Sequence, residues 1–374
     1  MRVVHVSSFR GPRGAGAAEL LEAWPTLVRV PAAVAARGVE VEVVQAAWRN
    51  EEAEAEGVRF YFVAEPSEGC WARRWPRGLV RRALALRPDA VHFQGLSFPL
   101  PVLLLTRASR VPVLVQDHAD RVMRGFRRRV QRAGLARVAG AAFTAREQAE
   151  PFFAARVLRP GLPVFEVLEC STRFTPGDPE AARARTGVHG DPALLWVARL
   201  DGNKDPLTAL EALARVLDRL PGARLWMCWS EGALEGAVRA RLAAQPELAA
   251  RVHLLGRVPH AGVQELCRAA DFFVCGSARE GTTFALLETL ASGATPLVSD
   301  IPSFRRMTGG GRVGALYPRG NAEALARLLV EWAGRPRPEL RRAAREHFER
   351  HLSFDALARE LCAAYEAVAA AGAR

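Results

Sequence analysis

The stretch Asp271-Phe-Phe-Val-Cys-Gly-Ser-Ala-Arg-Glu-Gly-Thr-Thr-Phe-Ala-Leu-Leu-Glu-Thr-Leu-Ala-Ser-Gly-Ala-Thr-Pro-Leu-Val-Ser-Asp300 reads as one strand–helix–strand unit. Phe272 to Cys275 is a continuous apolar run of strand length, and Thr295 to Val298 is a second. Between them Gly281 permits a tight turn, a helix starts near Thr283, and Gly293 provides its C-terminal stop. Phe284, Leu287 and Ala291 mark one helical face, which Leu286 and Leu290 widen. Continuous apolar strands joined by amphipathic helices predict a parallel sheet covered on both faces.

The same design recurs on either side. Ala193 to Ala198, Ala223 to Trp229 and Val252 to Leu255 precede this unit. In the first half Val3 to Val6, Val39 to Val44, Val58 to Val63, Ala90 to Phe93 and Val111 to Val115 read as strands, with helical segments such as Ala17 to Ala36 between them. A chain of 374 residues exceeds what one core supports, so each half is expected to be a doubly wound α/β domain. The expected boundaries are 1–170 for the first domain, 171–191 for a Pro- and Gly-rich linker, 192–350 for the second domain, and 351–374 for a helix crossing back to the first.

Hydrophobic residues make up 49% and charged residues 25%, which fits a globular enzyme rather than a disordered or fibrous chain. No apolar run reaches the roughly 18 to 20 residues that span a bilayer, and the N-terminus lacks signal-peptide design, so a cytoplasmic location is expected. The six cysteines contain no Cys-x-x-Cys pair and read as buried free thiols, with no metal site implied. The net charge is +12, and much of it lies in Trp71 to Arg82 and Arg121 to Arg132. Val122, Phe126 and Val130 recur every four residues in the second segment, predicting a basic amphipathic helix. Such a helix, with the Trp71/Trp75 pair, could hold the chain peripherally on the inner, anionic face of a membrane. A solvated Arg-rich face is the alternative, and no motif for reading nucleic acid accompanies the charge.

Ligands of doubly wound sheets bind beyond the carboxyl ends of the strands. Arg199 and Lys204 lie there, after the run ending at Ala198 and before a helix from Pro206 to Leu220. Lys+Arg total 52 and Lys204 is the sole lysine. A compact ammonium beside a planar guanidinium suits a diphosphate, with ordinary surface charge as the alternative. Glu280 precedes the helix of the opening stretch. Glu288 lies inside it in an apolar run, where it needs hydrogen-bond donors such as sugar hydroxyls, an arginine or solvent. The free N–H groups near Gly281, Thr282, Thr283 and Phe284 offer a second anion site.

Glu280 and Glu288, the following Ala-Ser-Gly-Ala-Thr-Pro-Leu-Val-Ser-Asp, the Arg199/Lys204 segment, His253-Leu-Leu-Gly-Arg-Val-Pro-His and Val313-Gly-Ala-Leu-Tyr-Pro-Arg-Gly-Asn together resemble the group 1 glycosyltransferases, also known as glycosyltransferase family 4. The matches run in family order over about 193–329, while the first half is similar only in layout. The resemblance implies the GT-B fold, two Rossmann-like domains facing across a cleft, and a retaining transfer of sugar from a nucleotide donor, UDP- or GDP-sugar, to an acceptor hydroxyl. It implies no metal and no cofactor. A lipid-linked or anionic acceptor is expected separately, the anionic one from the basic Gly11–Gly16 loop, for which a merely flexible loop is the alternative. Arg199 and Lys204 would hold the diphosphate, Glu280 the donor sugar and Glu288 the ribose. Gly256, Arg257 and Val258 would line the base pocket, and His118 would reach the sugar from the first domain. His118 as a loop histidine without a ligand is the alternative.

Two departures stand out. Glu280-Gly281-Thr282-Thr283 replaces the family's usual Glu-Gly-Phe-Gly, and Thr283 is expected to cap the helix. The usual Gly-Gly loop after the first strand becomes Gly11-Pro-Arg-Gly14-Ala-Gly16, longer and basic, with Gly14 and Gly16 expected beside the phosphates. Two other readings stay open: an epimerase of the same fold using Asp117, His118 and Asp120, and a non-catalytic nucleotide-sugar-binding scaffold at a membrane.

Overall fold

The computed structural model describes residues 1–65 and 76–372, so Cys70, Trp71 and Trp75 lie outside the described residues. The chain forms two compact units, Met1–Ser171 with Phe354–Arg374, and Thr172–Ser353. Among the described residues, no helix is long and apolar enough to cross a membrane.

In the first unit the strands are β1 (Arg2–Ser7), β2 (Glu40–Ala47), β3 (Glu51–Ala55), β4 (Val58–Ala64), β5 (Ala90–Gln94), β6 (Val113–Gln116), β7 (Gly140–Phe143) and β8 (Val164–Glu166). They form one sheet in the order β3-β4-β2-β1-β5-β6-β7-β8. All pairs are parallel except β3 with β4. Val4, Val6, Val91, Phe93 and Val115 are fully buried, as apolar runs covered on both faces must be. β3 was not legible as a strand because Glu51-Glu-Ala-Glu-Ala is a charged edge, a sequence that resists further pairing. β7 is Gly140-Ala-Ala-Phe, with no β-branched residue, and β8 has only three residues, so neither shows a strand pattern.

The segment read as one helix from Ala17 to Ala36 is two, Ala17–Ala23 and Pro25–Ala35. Pro25 clashes with a helical conformation at Trp24, which takes φ −120° and ψ 74°. The basic helix also differs from expectation. It spans Gly125–Leu135, because Gly125 adopts φ +57° and cuts it off from Val122, which packs on the sheet core instead. Gln131, Gly134 and Leu135 form its buried side, and Phe126 is 73% exposed.

The second unit holds β9 (Ala193–Val197), β10 (Arg224–Cys228), β11 (Val252–Gly256), β12 (Phe272–Cys275), β13 (Thr295–Ser299) and β14 (Ala315–Tyr317). The sheet is parallel throughout, in the order β11-β10-β9-β12-β13-β14. Strand order therefore reverses between β9 and β12, which opens a crevice beyond their carboxyl ends. The corresponding reversal in the first unit falls between β1 and β5.

Of the segment 171–191, expected as a linker, residues 172–191 are part of the second unit. A helix at Pro179–Thr186 begins where Asp178 caps the Glu180 amide at 3.0 Å and ends at Gly187 in the left-handed region. Arg183 donates to both carboxylate oxygens of the buried Asp271, at 3.1 and 3.0 Å, and so ties this helix to the sheet. At the other end of the chain, the helix Arg337–His351 stays with the second unit, and the helix Phe354–Gly372 returns to the first. The described cysteines form no disulfide, and four of the five are buried.

Candidate functional site

Lys204 and Glu280 meet at the crevice between β9 and β12, and Arg199 lies on the same loop as Lys204, beyond the end of β9. Their two loops are laced together: the Ala278 amide donates to the Asn203 carbonyl at 2.7 Å, and Asn203 Nδ2 donates to the Arg279 carbonyl at 3.0 Å. Asp201 shapes the first loop by accepting from the amides of Asn203 and Lys204 at 2.9 and 3.0 Å. Asp205, at φ +47°, then caps the helix Pro206–Ala214 through the Thr208 amide. This helix is shorter than the expected Pro206 to Leu220. Gly276 has no side chain where the loops approach, and a Cβ there would meet Asp205 at 3.2 Å.

Lys204 Nζ sits 2.6 Å from Glu280 Oε1, and both side chains are nearly buried. Asn203 Nδ2 donates to the same oxygen at 3.1 Å. Arg199 is more exposed and pairs with Asp201 at 3.4 Å. The sequence suggests separate ligands for Lys204 and Glu280; in the fold the two side chains hold each other.

Glu288 is buried on the helix Phe284–Ser292, and its partner is a histidine. His260 Nε2 lies 2.6 Å from its Oε1. Burial pushes the Glu288 carboxyl up, and the His260 hydrogen bond works against that rise. His260 in turn lies against Phe174, with ring centroids 4.8 Å apart. Gly256 ends β11 at φ +66°, with Arg257 and Val258 following before the helix His260–Ala269. Thr283 is the N-cap residue of the Glu288 helix, but its hydroxyl makes no capping bond. That buried Oγ1 has no hydrogen-bond partner.

In the first unit His118 follows β6. Its Nδ1 lies 3.0 Å from Glu169 Oε2, and its Nε2 lies 2.7 Å from Gln94 Oε1. Both ring nitrogens face oxygens that only accept, an arrangement that suits the imidazolium. Burial opposes the charge, but the hydrogen bond and charge of Glu169, with Asp120 and Asp117, raise His118 above the usual imidazole range. Asp117 is pushed up to about 7 by burial and by the neighbouring Asp120 and Glu169. Asp120 accepts from the Leu96 amide at 2.7 Å.

A buried chain of hydrogen bonds runs on from Gln94. Its Nε2 lies 3.3 Å from His92 Nε2, His92 Nδ1 lies 2.7 Å from Tyr365 Oη, and that oxygen lies 2.9 Å from His5 Nε2. Burial holds His5 neutral, with its pKa lowered to about 3, and keeps His92 well below the usual range. Sequence reading missed Gln94, Glu169 and His260. Gln94 carried the signal that had picked out Arg199, a polar residue at the carboxyl end of an apolar run. Glu169 and His260 carried none, since their partners are distant in sequence.

In the loop of Gly14 and Gly16, side-chain carboxylates take the amides of Gly16 and Ala17. The Gly16 amide donates to Glu19 Oε2 at 3.1 Å, and the Ala17 amide donates to Glu51 Oε2 at 2.5 Å. Two carboxylates thus occupy the start of this helix, where the sequence suggested phosphate. Gly14 takes φ +84° with open space around it.

These arrangements accompany clear likenesses to known proteins. The family model described as Glycosyl transferases group 1 matches residues 178–350, and that described as Glycosyltransferase Family 4 matches residues 27–149. The chain belongs to the group 1 glycosyltransferases, family 4. It is 28% identical to the GDP-mannose:cellobiosyl-diphosphopolyprenol alpha-mannosyltransferase of Xanthomonas campestris, over 64% of this chain and 63% of that protein. It is 30% identical to the phosphatidyl-myo-inositol mannosyltransferase of Mycobacterium tuberculosis H37Rv over 48% of each. The chain thus spans less than two thirds of the length of these curated relatives. Among solved structures, sucrose-phosphate synthase from Thermosynechococcus elongatus aligns with a TM-score of 0.69 and 19% identity, over 99% of this chain and 100% of that one. Anabaena HepE in complex with UDP aligns with a TM-score of 0.71 and 15% identity, over 98% and 100%. The fold is GT-B.

Proposed function

We propose that this protein transfers a sugar from a nucleotide-sugar donor to an acceptor hydroxyl, with retention of anomeric configuration and without a metal. The reading is carried by the Lys204 and Glu280 pair at the β9/β12 crevice of a family 4 chain, with Arg199 on the Lys204 loop. A diphosphate arriving there draws the Lys204 ammonium and the Arg199 fork, and frees Glu280 to accept from donor-sugar hydroxyls. Charge-assisted bonds of this kind contribute about 1.5 to 3 kcal/mol each. Thr283 Oγ1 and the helix-start amides add donors to the phosphates. Glu288, held by His260, accepts from the ribose, and the Gly256–Val258 backbone lines the base pocket.

In the transfer the bond between anomeric carbon and phosphate oxygen breaks, and its electron pair stays on the phosphate. The acceptor oxygen bonds to the same face of the sugar and passes its proton to the leaving phosphate oxygen. Preorganised positive charge stabilises the phosphate as it leaves, commonly the largest catalytic contribution. Glu169 raises His118 toward its charged form, the form suited to donating to a sugar hydroxyl. UDP and GDP are the expected nucleotides, and the relatives' names favour a lipid-linked acceptor. The Arg-rich helix Gly125–Leu135, with Phe126 exposed, supports peripheral contact with an anionic membrane.

Thermal-shift titration with UDP, GDP, ADP and TDP tests the donor site, since a ligand that binds the folded state raises Tm. One nucleotide is expected to shift the wild type and not Lys204→Ala. No shift with any of them overturns the reading. Interconversion of a donor sugar incubated alone, followed by nuclear magnetic resonance, would instead make the protein an epimerase.

A further inference from the structure

Glu288 and His260 are close partners with opposite exposure: the carboxylate side chain is 6% exposed and the imidazole 69%. A carboxylate so far from water keeps its charge only with hydrogen-bond donors around it. The buried Cys267 thiol beside it offers little help, being pushed up by its own burial and then by the Glu288 charge. His260 is the donor that the fold supplies, with Nε2 2.6 Å from Oε1. Because Nε2 faces an accepting oxygen, the imidazole carries a proton on that nitrogen. Among the described residues, the hydrogen bonds of Glu288 engage Oε1 and leave Oε2 without a donor. The place of His260 is set from a segment distant in sequence. Its ring rests on Phe174, which is buried. The Phe174 amide donates to Thr172 Oγ1 at 3.2 Å, and its carbonyl accepts from Arg345 Nη1 at 3.3 Å. The helix Arg337–His351 thus secures the ring on which His260 lies, and His260 opens its own helix two residues after Val258.

We propose that His260 is a positioning residue for the nucleotide: it engages Oε1 of Glu288 and turns Oε2 to the ribose. The pair, and not Glu288 alone, then selects a ribonucleoside diphosphate over one that lacks ribose hydroxyls. This rests on the donor-site reading above and deepens it. Without the imidazole, a carboxylate this buried loses its donor, and it takes up a proton or turns toward water. Either change weakens its acceptance from a hydroxyl. Contacts to the base and the diphosphate do not pass through Glu288, so a nucleotide stripped of its ribose hydroxyls should not register the loss. The exposure of His260 also means that truncating it opens no hole in the core.

Isothermal titration of the full chain tests this with two probes, whichever of UDP and GDP shifts the wild-type Tm and its 2′,3′-dideoxy counterpart. His260→Ala is expected to weaken the ribonucleotide at least fivefold and to leave the dideoxynucleotide within twofold of wild type. His260→Gln returns an N–H donor at similar reach and is expected to recover most of the lost affinity. On a Glu288→Ala background, His260→Ala should add less than twofold, because the imidazole acts through that carboxylate. Unchanged or tighter ribonucleotide binding in His260→Ala, an equal loss for both probes, a Gln variant no better than Ala, or an additive loss in the double variant overturns the proposal. If the wild type binds neither nucleotide, the donor-site reading itself fails and takes this proposal with it. Wild-type binding that is indifferent to His260 leaves that reading standing and removes this proposal alone.

Discussion

Glu280 and Glu288 belong to one short segment, yet the fold gives them different company. Glu280 is held by an ammonium and an amide, and Glu288 by an imidazole in a buried setting. The difference predicts a division of labour. Glu288→Ala should weaken binding of the free nucleoside diphosphate at least tenfold by calorimetry, whereas Glu280→Ala should spare it and weaken the intact nucleotide sugar. Equal losses for the free nucleotide would contradict that division. Asp117 offers a prediction about pH. Its folded value of about 7 lies above the ordinary carboxylate range near 4, so the folded chain binds this proton more tightly than the unfolded one. The resulting stabilisation is complete below about 4 and is lost as pH rises through 7. The Tm of the wild type relative to Asp117→Asn should therefore fall between pH 5 and 8, and a constant difference would contradict the assignment.

Elements matter where a single residue ends or anchors them. β8 leads into the coil that carries Glu169, and this carboxylate sets the charge of a histidine that follows β6. Glu169→Gln should therefore lower the His118 pKa, as read by nuclear magnetic resonance titration of its ring protons, while the Gln94 bond keeps the ring in place. The basic helix Gly125–Leu135 lies against the helix Pro99–Ala108 at Gly134, where an added Cβ would strike the Pro99 backbone. Gly134→Ala should cost about 1 to 3 kcal/mol by overpacking, visible as a lower Tm. The sequence showed this helix as basic and amphipathic but assigned the wrong stripe, because the left-handed turn at Gly125 lies outside what apolar spacing records. Similarly, Pro25 is plain in the sequence, but its consequence, a paired Phe9 and Trp24, required the neighbouring loop.

For the whole chain, Tyr365 is one of the residues through which the C-terminal helix reaches the first sheet. Its hydroxyl bridges His92 and His5, so Tyr365→Phe leaves buried nitrogens without a partner. A loss of about 1 to 3 kcal/mol is expected. That corresponds to roughly 2 to 4 °C of Tm per kcal/mol in a unit of this size. Differential scanning calorimetry would test it. Five of the six second-unit strands were legible from the sequence, because buried parallel strands must be continuously apolar, whereas the three-residue β14 and the adjacency of β9 and β12 came from the structure. Arg199, Lys204, Glu280 and Glu288 were legible too, each a polar residue beyond the carboxyl end of a strand or set in an apolar run. Tertiary structure alone decided which charges neutralise one another: Lys204 with Glu280, Glu288 with His260, His118 with Glu169. It also placed carboxylates on the amides of Gly16 and Ala17. Periodicity records which way a side chain faces its own sheet or core. Pairing between residues far apart in sequence depends on distances that exist only once the chain is folded.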